Sequence, residues 1–477
     1  MRVLLIANGY PPWRRGGTET YTAGIARGLA RLGHDVSVLC GGEWDSGPRH
    51  WNGVSRHDDD GVSVSRIHLN WAKAPDPGRY LYDNSATAGF LREHLERLRP
   101  DVVHVTSCET LSASVIPAVK DAGLPLVLSL TDFWFLCPRI NLLRSDGRTC
   151  DGNTSEWECL RCQLRGQKAL EVPAAMLPEP IVQRVLTAVS RVPALTRRPG
   201  LRGMACNLSA RKSWLRHVLT LPDRRVTASA FTRAVFAAAG VDAPIELHAY
   251  GHDLSWRRAV VDARRSDRLR IGFVGQISES KGLHVLLDAV AHLPARLQAA
   301  LEVVVYGDVD REPDYGAGIR AAARGLGATV DLRGVYLHRD SADVFASMDV
   351  LVVPSLWYDF PLVIHEAFAA GVPVVASDLA GMSETVGHGI NGLLFDRGSS
   401  VQLAGALTRL VEEPGLVAAL RDRVPDVKTV DDEVAELEQL YSEVALTAPP
   451  HEAISGISLA SLFLHPDAWI LLSVVPW

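Results

Sequence analysis

Cysteine is scarce in this chain: seven in 477 residues, too few to staple so long a polypeptide as a disulfide scaffold. Basic residues show no excess either. The formal net charge of −6 excludes a globally basic nucleic-acid binder, although it says little of local patches. No stretch reaches the roughly 18–20 consecutive apolar residues that span a bilayer. Nor does MRVLLIANGYPPWRRGG read as a secretory leader. Only about five apolar residues precede Asn8 and Gly9, where a leader needs a longer apolar region and a small-residue cleavage site. It reads instead as a first buried strand, and the expected location is the cytoplasm. A hydrophobic share of 47% and a charged share of 22% fit an ordinary globular protein whose length implies two or three domains.

What the chain does have is alternation of short apolar runs with amphipathic stretches, the pattern of parallel α/β domains. In the first half Arg2–Ala7, Asp35–Cys40, Asp101–Thr106 and Pro125–Leu130 read as strands. Between the first two lies TETYTAGIARGLARLGH, apolar at helical spacing up to Gly33. A second series follows: Arg270–Gly275, Leu301–Gly307, Thr329–Gly334, Asp349–Ser355 and Val372–Ser377. The expected organisation is an α/β domain over 1–252 with an insert at about 133–221, a linker over 253–267, and a second α/β domain over 268–428. A helix over 429–446 and an apolar tail over 447–477 complete it; the tail suits packing or contact with a membrane surface.

Several βα connections carry glycine or begin a helix, and in open α/β sheets ligands bind at those strand ends. Gly16 and Gly17 open the first helix. They suit either a turn that needs positive φ or close approach of an anion to free N–H groups. In FVGQISESKG, Lys281 stands where the next helix begins; it is either a surface lysine or a cation for a phosphate. WYDFPLVIHEAFAAGVPVVASD starts a helix at Pro361 and ends it at Gly371, with Asp359 and Glu366 seven positions apart. Those carboxylates could perform acid/base chemistry, grip a ligand or decorate a core helix. SDLAGMSETVGHGINGLLF adds another glycine-bearing loop.

Together, YPPWRRGGTETYTAGIARGLARLGHDV, VGQISESKGLHVLLDA and PSLWYDFPLVIHEAFAAGVPVVAS followed by GMSETVGHGINGLLF resemble family 4 glycosyltransferases of the GT-B fold. The likeness spans roughly residues 1 to 445. It implies two Rossmann-like domains facing a cleft, an acceptor domain followed by a donor domain. It also implies transfer of a sugar from a nucleotide-sugar donor to an acceptor hydroxyl, with retention of configuration and no metal cofactor (an EC 2.4 activity). A glycan, a lipid-linked sugar or a small molecule would serve as acceptor, in glycan, glycolipid or polysaccharide biosynthesis. By resemblance Lys281 binds the diphosphate, Glu366 holds the ribose hydroxyls, and Gly16 and Gly17 lie near donor phosphate and acceptor. Gly381, Met382 and Ser383 wrap the donor, and Gln276, Phe360, Pro361 and Leu362 complete its site. Asp132 is the candidate for orienting acceptor or sugar; as a plain residue it would cap a turn.

The sequence also departs from that pattern. The family's first acid would fall at Tyr358, one step before Asp359; Thr131-Asp132 stands where members usually show His-Asp, and Gln276 where many have arginine. These departures motivate an alternative, a catalytically degenerate nucleotide-sugar-binding homologue acting as sensor or partner subunit. For Asp359, capping the following helix and gripping a sugar hydroxyl are both open. No Asp-x-Asp metal motif stands out except Asp58-Asp59-Asp60, in a stretch read as a solvated polar loop.

Cys137, Cys150, Cys159 and Cys162 cluster within the insert, the last two at metal-ligand spacing. Structural zinc, an iron–sulfur cluster, and unliganded or disulfide-bonded cysteines are the readings. Arg197, Arg198, Arg202, Arg211, Lys212, Arg216, Arg224 and Arg225 stand against only Asp223 between Thr196 and Arg225. That run is either a solvated helix face or a peripheral contact with anionic lipid.

Overall fold

The computed structural model describes residues 1–14, 16–144, 147–164, 178–192, 207–257, 267–357 and 362–447. They build two sheets. The first has the order β3-β4-β2-β1-β5-β6-β7-β8. Its strands are β1 (Arg2–Ala7), β2 (Asp35–Gly41), β3 (Trp51–Asp59), β4 (Val62–Leu69), β5 (Val102–Val105), β6 (Leu126–Ser129), β7 (Arg224–Thr227) and β8 (Glu246–Leu247). Only the β3–β4 hairpin pairs antiparallel. The second sheet is wholly parallel, in the order β11-β10-β9-β12-β13-β14. It comprises β9 (Leu269–Val274), β10 (Leu301–Tyr306), β11 (Val330–Gly334), β12 (Val350–Val353), β13 (Val374–Ser377) and β14 (Gly392–Phe395).

The central strands explain why the apolar runs were so legible. VVHV of β5, LVLS of β6 and VLVV of β12 are buried at every position, as parallel strands covered by helices on both faces must be. The β3–β4 hairpin is different. Its sequence is polar, and Asp58 and Asp59 end β3 rather than lying in a solvated loop. Asp59 accepts from Arg27 through both oxygens at 3.0 Å and from the Tyr10 hydroxyl at 2.7 Å. Against the upward push of burial, those bonds hold its carboxyl below the ordinary carboxylate range.

The last described helix, Val430–Thr447, leaves the second unit and returns to the first. It packs on the helix Gly17–Arg31, where a Cβ on Gly28 would come within 2.6 Å of Val434; glycine there lets two backbones approach closely. Glu433 is fully buried and accepts from the Tyr21 hydroxyl at 2.9 Å and the Gly251 amide at 2.6 Å. Tyr441 bonds Nδ1 of the buried His104 at 2.6 Å. No described helix is long and apolar enough to cross a membrane.

Candidate active site between the two sheets

The two units meet through the loops at their strand ends. A Cβ on Gly17 would lie 3.5 Å from Cδ1 of Leu362, so the glycine turn after β1 faces the helix Leu362–Ala369 that follows β12. Glu384, just past the turn Ala380–Ser383 after β13, caps a helix of the other unit. Its carboxylate accepts from Ser229 Oγ at 3.2 Å, from the Ala230 amide at 3.0 Å and from the Phe231 amide. Helix N-termini favour such an anion. Trp357 donates its indole N–H to the Asn141 carbonyl at 2.6 Å, tying the loop after β12 to the insert.

On the second unit, β9 ends at Val274 and the chain passes through the exposed Gly275 and Gln276 into the short helical turn Glu279–Lys281. Gly282 follows with φ of 73°, and a Cβ on it would strike the Pro354 carbonyl. Only glycine lets this turn press against the end of β12. The Leu356 amide bonds the Ser280 carbonyl at 2.8 Å, and Lys281 Nζ lies 6.0 Å from the Trp357 ring centroid. The lysine thus stands beside the loop that leads into the Leu362 helix.

Glu366 sits in the second turn of that helix, only partly accessible. Lost hydration raises its carboxyl above the ordinary range; His338 opposes that rise and Asp253 adds to it. His338 and Asp253 pair at 3.3 Å, and the pairing raises the imidazole and lowers the carboxyl. The neighbouring His365 stacks on His252 at 4.5 Å between centroids, and burial pushes His365 down to about 4 and His252 down to about 3. Both rings are therefore neutral at physiological pH, while the pairing with Asp253 favours the charged form of His338 near Glu366. Residues from the joint between the units and from the loop after β11 so converge on one carboxylate. Sequence reading did not single out Asp253 or His338; their only signal was position at a strand end or a joint.

On the first unit, Asp132 follows β6 and accepts from the Trp134 amide at 2.8 Å, the turn-capping role the sequence allowed. It also lines a small cavity with Ser107, Glu109, Ser129 and Thr131. Glu109 was not anticipated. It lies just beyond β5, where burial first and Asp132 second push its carboxyl up to about 7, against the pull of Arg14 and Arg211. Its place at the end of a strand already legible in the sequence was the available signal.

Other expected residues fare differently. Gly16 is the N-cap of the first helix without a side-chain cap, and the Glu19 carboxylate lies over it where a Cβ would clash. Gly381 and Met382 are buried, and Met382 gives its amide to Leu379 at 2.7 Å and its side chain to the core. The Ser383 hydroxyl bonds the Leu379 carbonyl at 3.2 Å. Asp359, Phe360 and Pro361, with Tyr358, lie outside the described residues, as do Arg197, Arg198, Arg202 and positions 448–477 of the tail. The rest of the basic run is only partly a solvated face, with Arg216 exposed and two arginines buried. Arg211 and Arg225 are buried, and each donates to backbone carbonyls. Arg216 bonds the Ala239 carbonyl at 2.7 Å, Lys212 the Thr154 carbonyl at 3.0 Å, and Arg224 pairs with Glu246 and Glu443. These cations are spent on holding the insert and β7 in place. Cys137, Cys150, Cys159 and Cys162 are free thiols around one cavity of the insert.

Comparison with known proteins gives this geometry a context. Residues 16–251 match the family described as Glycosyl transferase 4-like domain, and residues 268–413 match Glycosyl transferases group 1. The D-inositol 3-phosphate glycosyltransferase of Rhodococcus jostii is 36% identical over 160 residues, 32% of this chain and 35% of that protein. An uncharacterised glycosyltransferase of Methanocaldococcus jannaschii is 31% identical over 172 residues, 34% of this chain and 42% of that protein. The aligned stretch thus spans only about a third of the length of the first of these relatives. Among solved structures, sucrose-phosphate synthase from Thermosynechococcus elongatus superposes with a TM-score of 0.63 at 18% identity, covering 93% of this chain and 99% of that one. HepE of Anabaena in complex with UDP and glucose gives 0.60 at 18% identity over the same shares. These likenesses establish the GT-B fold, two α/β units about a cleft.

Proposed function

Since the chain belongs to the group 1 glycosyltransferases of family 4, we propose that it moves a sugar from a nucleotide-sugar donor to an acceptor hydroxyl with retention of configuration. In this reading the second unit holds the donor. Lys281 and the amides at the start of the Leu362 helix stabilise the charge of the departing diphosphate, a task that needs no metal ion. Glu366 accepts hydrogen bonds from the ribose hydroxyls. The acceptor oxygen attacks the anomeric carbon from the face that the diphosphate leaves, and its proton passes to the departing phosphate oxygen. The observation that supports the reading is the approach of Gly17 to Leu362, which sets the glycine turn of one unit against the helix Leu362–Ala369 of the other. The UDP and UDP-glucose bound to the structurally similar HepE make a uridine nucleotide the first donor to try.

Transfer and donor hydrolysis measured across UDP-, GDP-, ADP- and dTDP-sugars test it. Turnover of one donor class, with the anomeric configuration kept in the product, is the expected result. Tight donor binding without turnover on any acceptor would instead fit a binding homologue.

The acceptor falls to the first unit, where Glu109 and Asp132 share one cavity. A carboxyl titrating at about 7 changes charge within the working pH range. The acceptor KM is expected to bend near pH 7, and Glu109→Gln to flatten that bend while leaving donor hydrolysis intact. An unaltered pH profile in the variant would remove Glu109 from the acceptor site.

A further inference from the structure

The four cysteines of the insert come from two separately built pieces. Cys137 and Cys150 flank a small hairpin, closed by the Leu143–Thr149 bridge and by the Cys150 amide bonding the Leu142 carbonyl at 2.7 Å. Cys159 and Cys162 lie three residues apart on the helix Glu156–Leu164, a spacing that puts both on one face. All four line the same cavity, with Arg139, Arg144 and Thr154 at its wall.

Polar and cationic groups stand around the sulfurs. Thr154 Oγ1 lies 2.9 Å from Cys159 Sγ, and Arg139 and Arg144 line the cavity beside the thiols. Behind them Arg211 is buried at 8% exposure, bonded to the Trp134 carbonyl and set 5.3 Å from the Trp134 ring centroid.

We propose that Cys137, Cys150, Cys159 and Cys162 bind one structural zinc ion that fixes the insert as a wall of the cleft. Thiolates are the donors soft divalent ions select, and four complete a tetrahedral shell. Binding releases four protons and leaves the site with a net charge of −2, which Arg211, Arg144 and Lys212 offset. The thiols as placed line the cavity without forming a ready ligand set. Among the described residues no three His, Cys, Asp or Glu side chains are positioned to hold a metal ion. The step from lining to ligation is side-chain rotation into the shared cavity. Because the hairpin carries Asn141, the partner of Trp357 beside Lys281, the ion would steady the cleft wall without taking part in transfer.

Elemental analysis of the full chain, purified under reducing conditions without a metal-affinity step, tests this. About one equivalent of zinc is expected, falling below about 0.2 in the Cys159→Ser/Cys162→Ser chain. Chelator-stripped wild-type protein, titrated with zinc chloride, should take up one ion as four thiols become protected from a thiol reagent. That second measurement does not depend on how the variant folds, and neither measurement depends on activity. Stripped wild type that takes up no zinc, with all four thiols still reactive, overturns the proposal. Iron with acid-labile sulfide at the same cysteines overturns it equally.

Discussion

Lys281→Ala is expected to lower kcat/KM for the nucleotide-sugar donor by roughly 10²- to 10³-fold, the usual cost of losing one preorganised group aimed at developing charge. Most of the loss should fall on kcat, since the leaving diphosphate is more negative in the transition state than in the bound donor. The lysine is well placed for this. Gly282 presses its turn against the end of β12, the Ser280 carbonyl is bonded to the Leu356 amide, and the Trp357 ring lies beside its ammonium group. A cation so confined loses little entropy on meeting a phosphate. Steady-state kinetics with saturating acceptor would show the effect. A variant with wild-type kcat and KM would mean that the phosphates lie elsewhere.

The second large effect concerns Glu366. Replacement by glutamine should raise the donor KM by roughly 10- to 100-fold, in keeping with loss of hydrogen bonds to a charged acceptor, and change kcat less. The wild-type enzyme should show a matching pH dependence. Burial raises the carboxyl above its ordinary range, and the protonated form is the poorer acceptor for ribose hydroxyls. Donor affinity is therefore full at high pH and falls as the pH drops through that raised value. The limb should begin at a higher pH than an ordinary glutamate would give, and Glu366→Gln should abolish it. His338 tempers the rise while it stays protonated, so His338→Ala should move the limb to still higher pH. A wild-type KM that is flat down to the ordinary carboxylate range would contradict the ribose-binding role.

How much of this could be read from the residues follows from their physics. β1 was legible to its ends because a strand buried on both faces must be a nearly unbroken apolar run. β7 and β8 were not, since RRVT carries two arginines and β8 is only two residues long. The β3–β4 hairpin escaped for a related reason. Its outer strand has no fully buried position, and Asp59 is recruited by Tyr10 and Arg27, which lie 49 and 32 positions away. The arginines between Thr196 and Arg225 read as a charged surface, yet Arg211 and Arg225 bury their length and bond carbonyls. No spacing rule announces a carbonyl brought close by tertiary packing. At the cleft, Lys281 and Glu366 stood in a recognisable local pattern. Glu109, Asp253 and His338 acquire their meaning only from neighbours distant in sequence.

The helix Val430–Thr447 bears on how the protein must be made. Val434, Leu437, Leu440, Tyr441 and Val444 belong to the same core as β1 and the Gly17–Arg31 helix. The first unit is therefore finished by nearly the last described residues. During synthesis its apolar flank stays uncovered until the whole second unit has left the ribosome, a window in which chaperone binding or aggregation competes with folding. A chain cut after the first sheet would keep that flank bare, so the two halves are separable in outline but not as independently soluble proteins.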